Sequence, residues 1–237
     1  MKKNFFIFLL FSFSSFGFSN EDDIEKKITS ILPPGSKIES IQPSEIPDLY
    51  KVFYGDVQPI YVSSNGNFFI YGEMFKIEQN KIINLTNNEI ENQRSQIINS
   101  ISESEFISFP SENEIFSIAI FTDVDCTYCR KLHEQIDDYN NIGISINYLA
   151  FPRSGIGTKS FSKMVSAWCS DNPKQTLTKL KKGKDLKLAF CDTQPVAKHY
   201  TIGQKIGISG TPAIVTKSGE LFPGYYPPDE LLEKLKG

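Results

Sequence analysis

The chain has 237 residues and a formal net charge of −3, with 25 Lys and Arg against 28 Asp and Glu. This acidic balance excludes the strongly basic surface by which nucleic-acid-binding proteins are usually recognised. An apolar fraction of 40% with 13% aromatic residues predicts a folded chain, long enough for two modest domains.

The first residues have the layout of a secretory signal peptide. Two lysines precede an apolar and serine-rich stretch over residues 5–18, and acidic residues follow at positions 21–23. The stretch is shorter than the ~20 residues that a membrane-spanning helix needs, and the small residues Gly17 and Ser19 suit a cleavage site. We therefore predict a signal peptide over residues 1–19. Its removal takes away two lysines and no acidic residue, so the net charge becomes −5. The alternative is an uncleaved N-terminal anchor.

Helix and strand patterns predict a small α+β domain over residues 20–80. Apolar residues recur at helical spacing from Asp22 to Leu32, and Pro33-Pro34-Gly35 ends that pattern. Runs of β-branched and aromatic residues predict a mostly antiparallel sheet with strands at residues 37–41, 49–54, 59–62, 67–71 and 73–77. Asn65-Gly66 indicates a hairpin turn. Because the domain is too small for a large core, pairing with a second copy would bury its apolar face.

A linker helix is predicted next, within residues 81–108. Isoleucines keep roughly one helical face between Leu85 and Ser104, and Thr86 and Glu89 have the spacing of a capping box. A loop is the alternative for this segment.

The pattern changes to strand, helix, strand over residues 109–237, which we predict to be a thioredoxin-like α/β domain. A continuous apolar run at residues 115–121 predicts a buried strand, residues 126–139 a helix and residues 144–151 another strand, with a C-x-x-C motif at the first junction. The remaining elements are a helical insertion at residues 158–207, strands at 211–215 and 221–225, and a last helix at 229–235.

The motif Cys126-Thr127-Tyr128-Cys129 carries the candidate chemistry. A thiol attacks a disulfide as its thiolate, and the free N–H groups at a helix start stabilise that negative charge on Cys126. Cys129, one turn later, can attack the mixed disulfide that Cys126 forms. The alternatives are a structural disulfide and half of a zinc site, although the chain has only two histidines and no second C-x-x-C. We expect no metal and no cofactor.

The other two cysteines, Cys169 and Cys191, stand far from the motif. We predict a structural disulfide between them, with a second redox pair as the alternative. His133 and His199 are expected on solvated helix faces. Asp123 could tune proton transfer, although a carboxylate near a strand end is more often simply exposed.

Thr211 and Pro212 are predicted to contact substrate, together with Thr127 and Tyr128. A Thr-Pro before a strand is often only a strand start. Beside the dithiol, it matches the cis-proline loop that thioredoxin-fold proteins place opposite their active cysteines, where free backbone groups can pair with an extended substrate.

The order of several motifs resembles that of the bacterial periplasmic disulfide isomerase family, which includes DsbC and DsbG. The motifs are Phe121-Thr122-Asp123, Cys126-Thr127-Tyr128-Cys129, Lys131-Leu132-His133, Phe151-Pro152-Arg153, Trp168-Cys169, Gly207-Ile208-Ser209-Gly210-Thr211-Pro212-Ala213 and Pro223-Gly224-Tyr225-Tyr226-Pro227-Pro228. The resemblance is dense from residue 115 onward and looser before residue 80.

This resemblance implies a V-shaped homodimer, in which cystatin-like N-terminal domains pair and two thioredoxin-like domains face each other across an uncharged cleft. It also implies isomerisation of wrong disulfides in exported proteins, some chaperone activity, and a DsbD-like membrane reductase that keeps the dithiol reduced. Thr127 replaces a usual glycine, and Arg130 replaces a frequent histidine and would favour the thiolate. The rival functions are a DsbG-like reductase or oxidase of specific substrates and a dimeric holdase.

Overall fold

The computed structural model describes the backbone from Ser19 to Gly237 and side chains from Glu21 onward. Except for Ser19, the predicted signal peptide therefore lies outside the described residues. The chain forms two compact units, the first made of residues up to Gly55 together with Ile60–Gly72, and the second of Asp56–Pro59 and Glu73–Gly237. Among the described residues, no helix is long and apolar enough to cross a membrane.

The first unit is one helix on a four-stranded antiparallel sheet. Its elements are α1 (Ser19–Thr29), β1 (Ile38–Pro43), β2 (Leu49–Tyr54), β3 (Ile60–Ser63) and β4 (Phe69–Tyr71), with the strands in sequence order. Its core contains Ile24 and Ile28 of α1 packed with Val52, Ile60 and Val62 of the sheet. The predicted Asn65-Gly66 hairpin is confirmed, because β3 and β4 pair antiparallel on either side of it.

The second unit begins with a hairpin and a helix. Its first elements are β5 (Phe75–Glu78), β6 (Lys81–Asn84) and α2 (Leu85–Asn99). The helix is therefore shorter than predicted, and residues 81–84 are strand. Asn84 caps α2 by accepting a hydrogen bond from the Asn87 backbone N–H, so the predicted capping box at Thr86 is wrong. The Thr86 side chain is buried and instead accepts from the Met74 N–H at 2.7 Å.

A five-stranded mixed sheet with helices on both faces forms the rest of this unit. The elements are a 3-10 turn (Glu103–Glu105), β7 (Ile107–Phe109), β8 (Phe116–Thr122), α3 (Thr127–Glu134), α4 (Ile136–Asn141), β9 (Ile144–Ala150), α5 (Lys159–Trp168), α6 (Pro173–Lys181), α7 (Val196–Lys205), β10 (Ala213–Thr216), β11 (Leu221–Pro223) and α8 (Pro228–Lys236). The strand order is β11-β10-β8-β9-β7, and only the β8–β9 pair is parallel.

Strand β8 lies at the centre of this sheet and is covered on both faces. Ile118 and Ile120 belong to one apolar cluster, whereas Ala119 and Phe121 belong to a second cluster on the opposite face. Side chains alternate between the faces of a strand, so a strand buried on both faces has a continuous apolar run. Burial on both faces thus explains the apolar residues from Ile118 to Phe121, whereas Ile115 precedes the strand and is exposed, and Ser117 interrupts the predicted run. The predicted strand-helix-strand order is confirmed.

Within the second unit, helix α2 contacts the end of α7 and the turn between β10 and β11. The Arg94 side chain donates to the Ile206 carbonyl at 2.9 Å, and the Ser95 hydroxyl donates to the Lys217 carbonyl at 2.7 Å. Gly219 has a φ of +91°, and a Cβ atom there would meet the Glu91 carbonyl oxygen at 1.8 Å. This turn requires glycine for both its conformation and the close approach of α2.

Candidate active site

Cys126 is the N-cap residue of α3, directly after β8. Its φ and ψ of −90° and 124° are extended, and its sulfur accepts a hydrogen bond from the Cys129 backbone N–H at 3.3 Å. As a thiol, Cys126 donates to the Thr211 carbonyl oxygen at 3.2 Å. Both Cys126 and Cys129 are free and buried. The parallel strands β8 and β9 end beside this helix start, so the sheet holds the sulfur against the helix N-terminus.

The two thiols differ sharply in acidity. The pKa of Cys126 is lowered to about 5, chiefly by a hydrogen bond from the Cys129 side chain. Burial opposes this change, while Thr211, the Cys129 N–H and the charge of Arg153 add to it. Burial and the hydrogen bond to Cys126 raise the pKa of Cys129 far above its usual range. At neutral pH Cys126 is therefore a thiolate and Cys129 a thiol, the arrangement that attack followed by resolution needs.

Asp123 is buried, so the expectation of an exposed carboxylate is wrong. Its Oδ1 accepts from the Asp125 N–H at 2.9 Å and the Ser160 hydroxyl at 2.7 Å, while its Oδ2 accepts from the Arg153 backbone N–H at 3.0 Å and side chain at 3.2 Å. Burial raises the pKa of Asp123, but these hydrogen bonds outweigh burial and lower it. The carboxylate thus fixes Arg153 beside the cysteine pair.

Among the main causes of the low Cys126 pKa, the positive charge is that of Arg153, whereas the sequence analysis expected this role for Arg130. Arg130 donates to the Val124 carbonyl at 2.9 Å, and its guanidinium lies 3.5 Å from the Asp125 carboxylate. Arg153 appears in the sequence only as the end of a Phe-Pro-Arg motif. The fold brings it to the site because β9 runs parallel to β8 and ends at the same edge of the sheet.

The four predicted substrate-contact residues lie on two elements that meet at the dithiol. Thr127 and Tyr128 are exposed on the first turn of α3, and the Tyr128 ring stacks on Tyr225 at a centroid distance of 6.3 Å. Thr211 and Pro212 form a loop before β10, with a cis peptide bond between them as expected. The Thr211 carbonyl oxygen accepts a hydrogen bond from the Cys126 thiol, so this loop lies next to the sulfur.

The remaining cysteines and the histidines lie away from this edge of the site. Cys169 and Cys191 form a disulfide with an S–S distance of 2.02 Å. His133 and His199 are both buried, so their predicted place on solvated faces is wrong. Burial lowers the pKa of His133 to about 3 and that of His199 to about 4, which keeps both rings neutral. Within the described part of the chain, no cluster of three or more His, Cys, Asp or Glu could hold a metal ion.

Lys181 is a site residue that the sequence analysis missed. It is 3% exposed, and its ammonium group lies 3.5 Å from the Cys129 carbonyl oxygen. A signal was present, because Lys181 follows Leu177 by four positions and so shares the apolar face of α6. The apolar face of α6 was not recognised because the surrounding stretch is rich in lysine.

Comparisons with known proteins agree with this geometry. A model of the thioredoxin-like domain matches residues 103–237, and a model of the disulfide bond isomerase N-terminal domain matches residues 15–87. The chain is 36% identical to the thiol:disulfide interchange protein DsbC of Escherichia coli K12 over 99% of this chain and 96% of that protein. It is 35% identical to DsbC of Salmonella typhimurium over 98% and 94% of the two chains.

A solved disulfide interchange protein from Neisseria gonorrhoeae is 26% identical, with a TM-score of 0.51 over 57% of this chain and 96% of that one. The family models and the near-complete DsbC matches cover both the N-terminal residues and the dithiol domain. The chain therefore belongs to the DsbC family of thiol:disulfide interchange proteins, which are thiol-disulfide oxidoreductases with a thioredoxin-like domain.

Proposed function

We propose that this chain is a periplasmic disulfide isomerase and reductase in which Cys126 is the attacking thiolate and Cys129 the resolving thiol. The observation that carries the proposal is the free, buried pair at the start of α3, with opposite pKa shifts on its two sulfurs. The signal peptide pattern of residues 1–19 and the family's exported substrates support the periplasmic location.

In isomerisation, the Cys126 thiolate attacks one sulfur of a wrong substrate disulfide. That bond breaks, a mixed disulfide with Cys126 forms, and a substrate thiolate is released. This thiolate attacks another substrate disulfide, and the last thiolate formed displaces Cys126. The enzyme and the substrate's total number of disulfides end unchanged.

In reduction, Cys129 attacks Cys126 in the mixed disulfide instead. The Cys126–Cys129 disulfide forms, and the substrate leaves with both its sulfurs reduced. Further turnover then needs a reductant, for which we propose a DsbD-like membrane reductase. This escape route frees complexes in which no substrate thiol reaches the mixed disulfide.

Substrate binding is assigned to Thr211, Pro212, Thr127 and Tyr128. A pocket of about 160 Å³ runs along the loop before β10 and is lined by Thr211, Pro212 and Gly224 among others. Tyr128 is 60% exposed and offers an apolar ring to an unfolded chain. We further propose a homodimer through the first unit, with some chaperone activity beside catalysis.

Refolding of a scrambled multi-disulfide substrate in a mild redox buffer tests this function. Residues 20–237 are expected to restore native substrate activity, and Cys126→Ala to abolish the effect because the attacking sulfur is gone. Cys129→Ala is the matched control, since it keeps the attacking sulfur and should retain part of the shuffling while losing net reduction.

Two results would contradict the proposal. If the protein oxidises a reduced substrate but leaves scrambled disulfides unchanged, the chain is a dithiol oxidant. If Cys126→Ala still restores native activity, the chain acts as a holdase and its cysteines are incidental.

A further inference from the structure

Lys181 is a buried cation directly behind the dithiol. It is the last residue of α6 and is 3% exposed, while the next residue, Lys182, is exposed. Lysine is almost never fully buried without a partner, because taking an ammonium group out of water costs several kcal/mol. A position that keeps such a charge in the core therefore calls for a functional explanation.

The contacts of Lys181 hold its ammonium group in one place. Its Nζ donates to the Thr122 hydroxyl at 2.7 Å and to the Cys129 carbonyl at 3.5 Å, and it lies 5.2 Å from the centroid of the Tyr148 ring. These three partners are uncharged. The opposite charges that favour the ammonium form are those of Cys129, Cys126 and Asp123, with Cys129 the strongest.

We propose that Lys181 supplies the positive charge that stabilises the Cys129 thiolate when Cys129 resolves a mixed disulfide on Cys126. This inference rests on the resolving role proposed above for Cys129. In the step, the Cys129 thiol loses its proton to solvent and its sulfur attacks Cys126. The bond between Cys126 and the substrate breaks, and the substrate leaves as a thiolate that takes a proton from solvent. The Cys129 sulfur is oxidised, the Cys126 sulfur exchanges one disulfide partner for another, and the substrate sulfur is reduced.

The need for such a charge follows from the burial of Cys129. Burial disfavours the charged form and raises the pKa of this thiol far above its usual range, whereas the Lys181 charge lowers it. When Cys126 is bound to substrate it no longer carries a negative charge. Lys181 then acts on Cys129 alone, in surroundings of low dielectric where a nearby charge has a large effect.

Lys181 is itself titratable, so the groups around it matter for the test. Burial lowers the pKa of Lys181 to about 8, which leaves it mostly protonated at neutral pH. The titratable and charged groups that face it from α3, from the end of β8 and from β9 are Cys126, Cys129, Arg130, His133, Asp123 and Tyr148. The pKa of His133 is about 3, so this ring adds no charge above pH 5.

Reaction of the reduced protein with an aromatic disulfide reagent separates the two thiol steps. The Cys126 thiolate releases one coloured aromatic thiol as it forms the adduct, and attack by Cys129 then releases a second. Lys181→Met keeps the length of the side chain and removes the charge. We expect the second phase to be about tenfold slower at neutral pH, because a change of one in a pKa is tenfold in thiolate. This difference from the wild type should shrink above pH 8, where Lys181 itself loses its proton.

The first phase is expected to keep nearly its wild-type rate in Lys181→Met. The matched control is Lys182→Met, which removes the same charge from the exposed neighbouring position and should change neither phase. A purely structural role of Lys181 would shift the unfolding midpoint of the variant, and any rate difference in the second phase would then not change above pH 8.

A second phase with the wild-type rate at neutral pH in Lys181→Met would overturn the inference. If Lys181→Met does not fold, Thr122→Val removes only the hydroxyl that holds the ammonium group. It should slow the second phase in the same direction, and a wild-type second phase there would equally reject the inference. Failure of the proposed function is distinguishable, since the wild type would then release its second thiol no faster than Cys129→Ala.

Discussion

The Cys126 thiolate is stabilised by groups from separate parts of the chain. The Cys129 N–H comes from the same helix turn, Thr211 from the loop before β10, and Arg153 from the segment after β9. Asp123 holds Arg153 in place through two hydrogen bonds. The acidity of one thiol therefore depends on tertiary contacts as much as on its helix start.

Removing the Arg153 charge tests this account. We expect Arg153→Gln to raise the pKa of Cys126 by roughly half a pH unit, because an opposite charge nearby favours the thiolate and solvent screens part of the effect. The ultraviolet absorbance of the thiolate, followed against pH in the reduced protein, measures this pKa.

Arg130→Gln is the control for that measurement. Arg130 is also close to the dithiol in sequence, but its guanidinium pairs with Asp125. The pKa of Cys126 should therefore stay at its wild-type value. A larger shift in Arg130→Gln than in Arg153→Gln would show that the two arginines have been assigned the wrong way round.

The disulfide ties the end of helix α5 to an irregular segment. Cys169 is the C-cap residue of α5, and Cys191 lies 22 residues later, between α6 and α7. Helix α6, which carries Lys181, lies inside the closed loop. Residues 182–195, which contain no regular element, also lie largely inside this loop. In the unfolded chain the disulfide limits the conformations that the loop can adopt.

Replacing both cysteines by alanine should lower the free energy of unfolding by about 3 kcal/mol, the effect of closing a loop of this length in the unfolded chain. Urea titration of the oxidised wild type and the Cys169→Ala/Cys191→Ala variant measures the difference. The wild type with this bridge reduced should unfold like the variant. A loss below about 1 kcal/mol would mean that the unfolded chain is already restricted there.

Strand β4 gives the first unit an exposed apolar edge. It is the last strand of its sheet, and Phe69, Ile70 and Tyr71 are 54%, 58% and 69% exposed. The preceding Phe68 is 72% exposed. An uncovered edge strand with apolar side chains on both faces is avoided in monomers because it pairs with other chains. This strand is the surface that supports the proposed homodimer.

A charge on β4 should therefore produce monomers. We expect Ile70→Asp to halve the mass of residues 20–237 measured by light scattering, and to weaken refolding of scrambled substrate. Both thiol phases with the aromatic disulfide should remain, since they need only one copy. Ile31→Asp, at a position with the same 58% exposure next to α1, is the control and should keep the dimer mass. An Ile70→Asp variant that stays dimeric would place the interface elsewhere.

Local patterns in the chain predicted much of the second unit and the chemistry of its dithiol. The mostly apolar sequence of β8, the C-x-x-C at the start of α3 and, in the first unit, the Asn65-Gly66 turn each depend on a few neighbouring residues, so short-range rules suffice. The short strands β6 and β7 were missed, because runs of four and three residues give little periodicity.

Burial and charge pairing were decided only when distant segments packed together. His133, His199 and Asp123 were expected at the surface because their own elements carry many polar residues. They are buried because His133 packs against α6, His199 of α7 against the end of β9, and Asp123 against the segment after β9. Nor does any local pattern show that Arg153 and Lys181 come to the dithiol. The chain itself specifies which groups can react, whereas the dielectric and charge around each sulfur, and hence its pKa, arise from residues that are far apart in sequence.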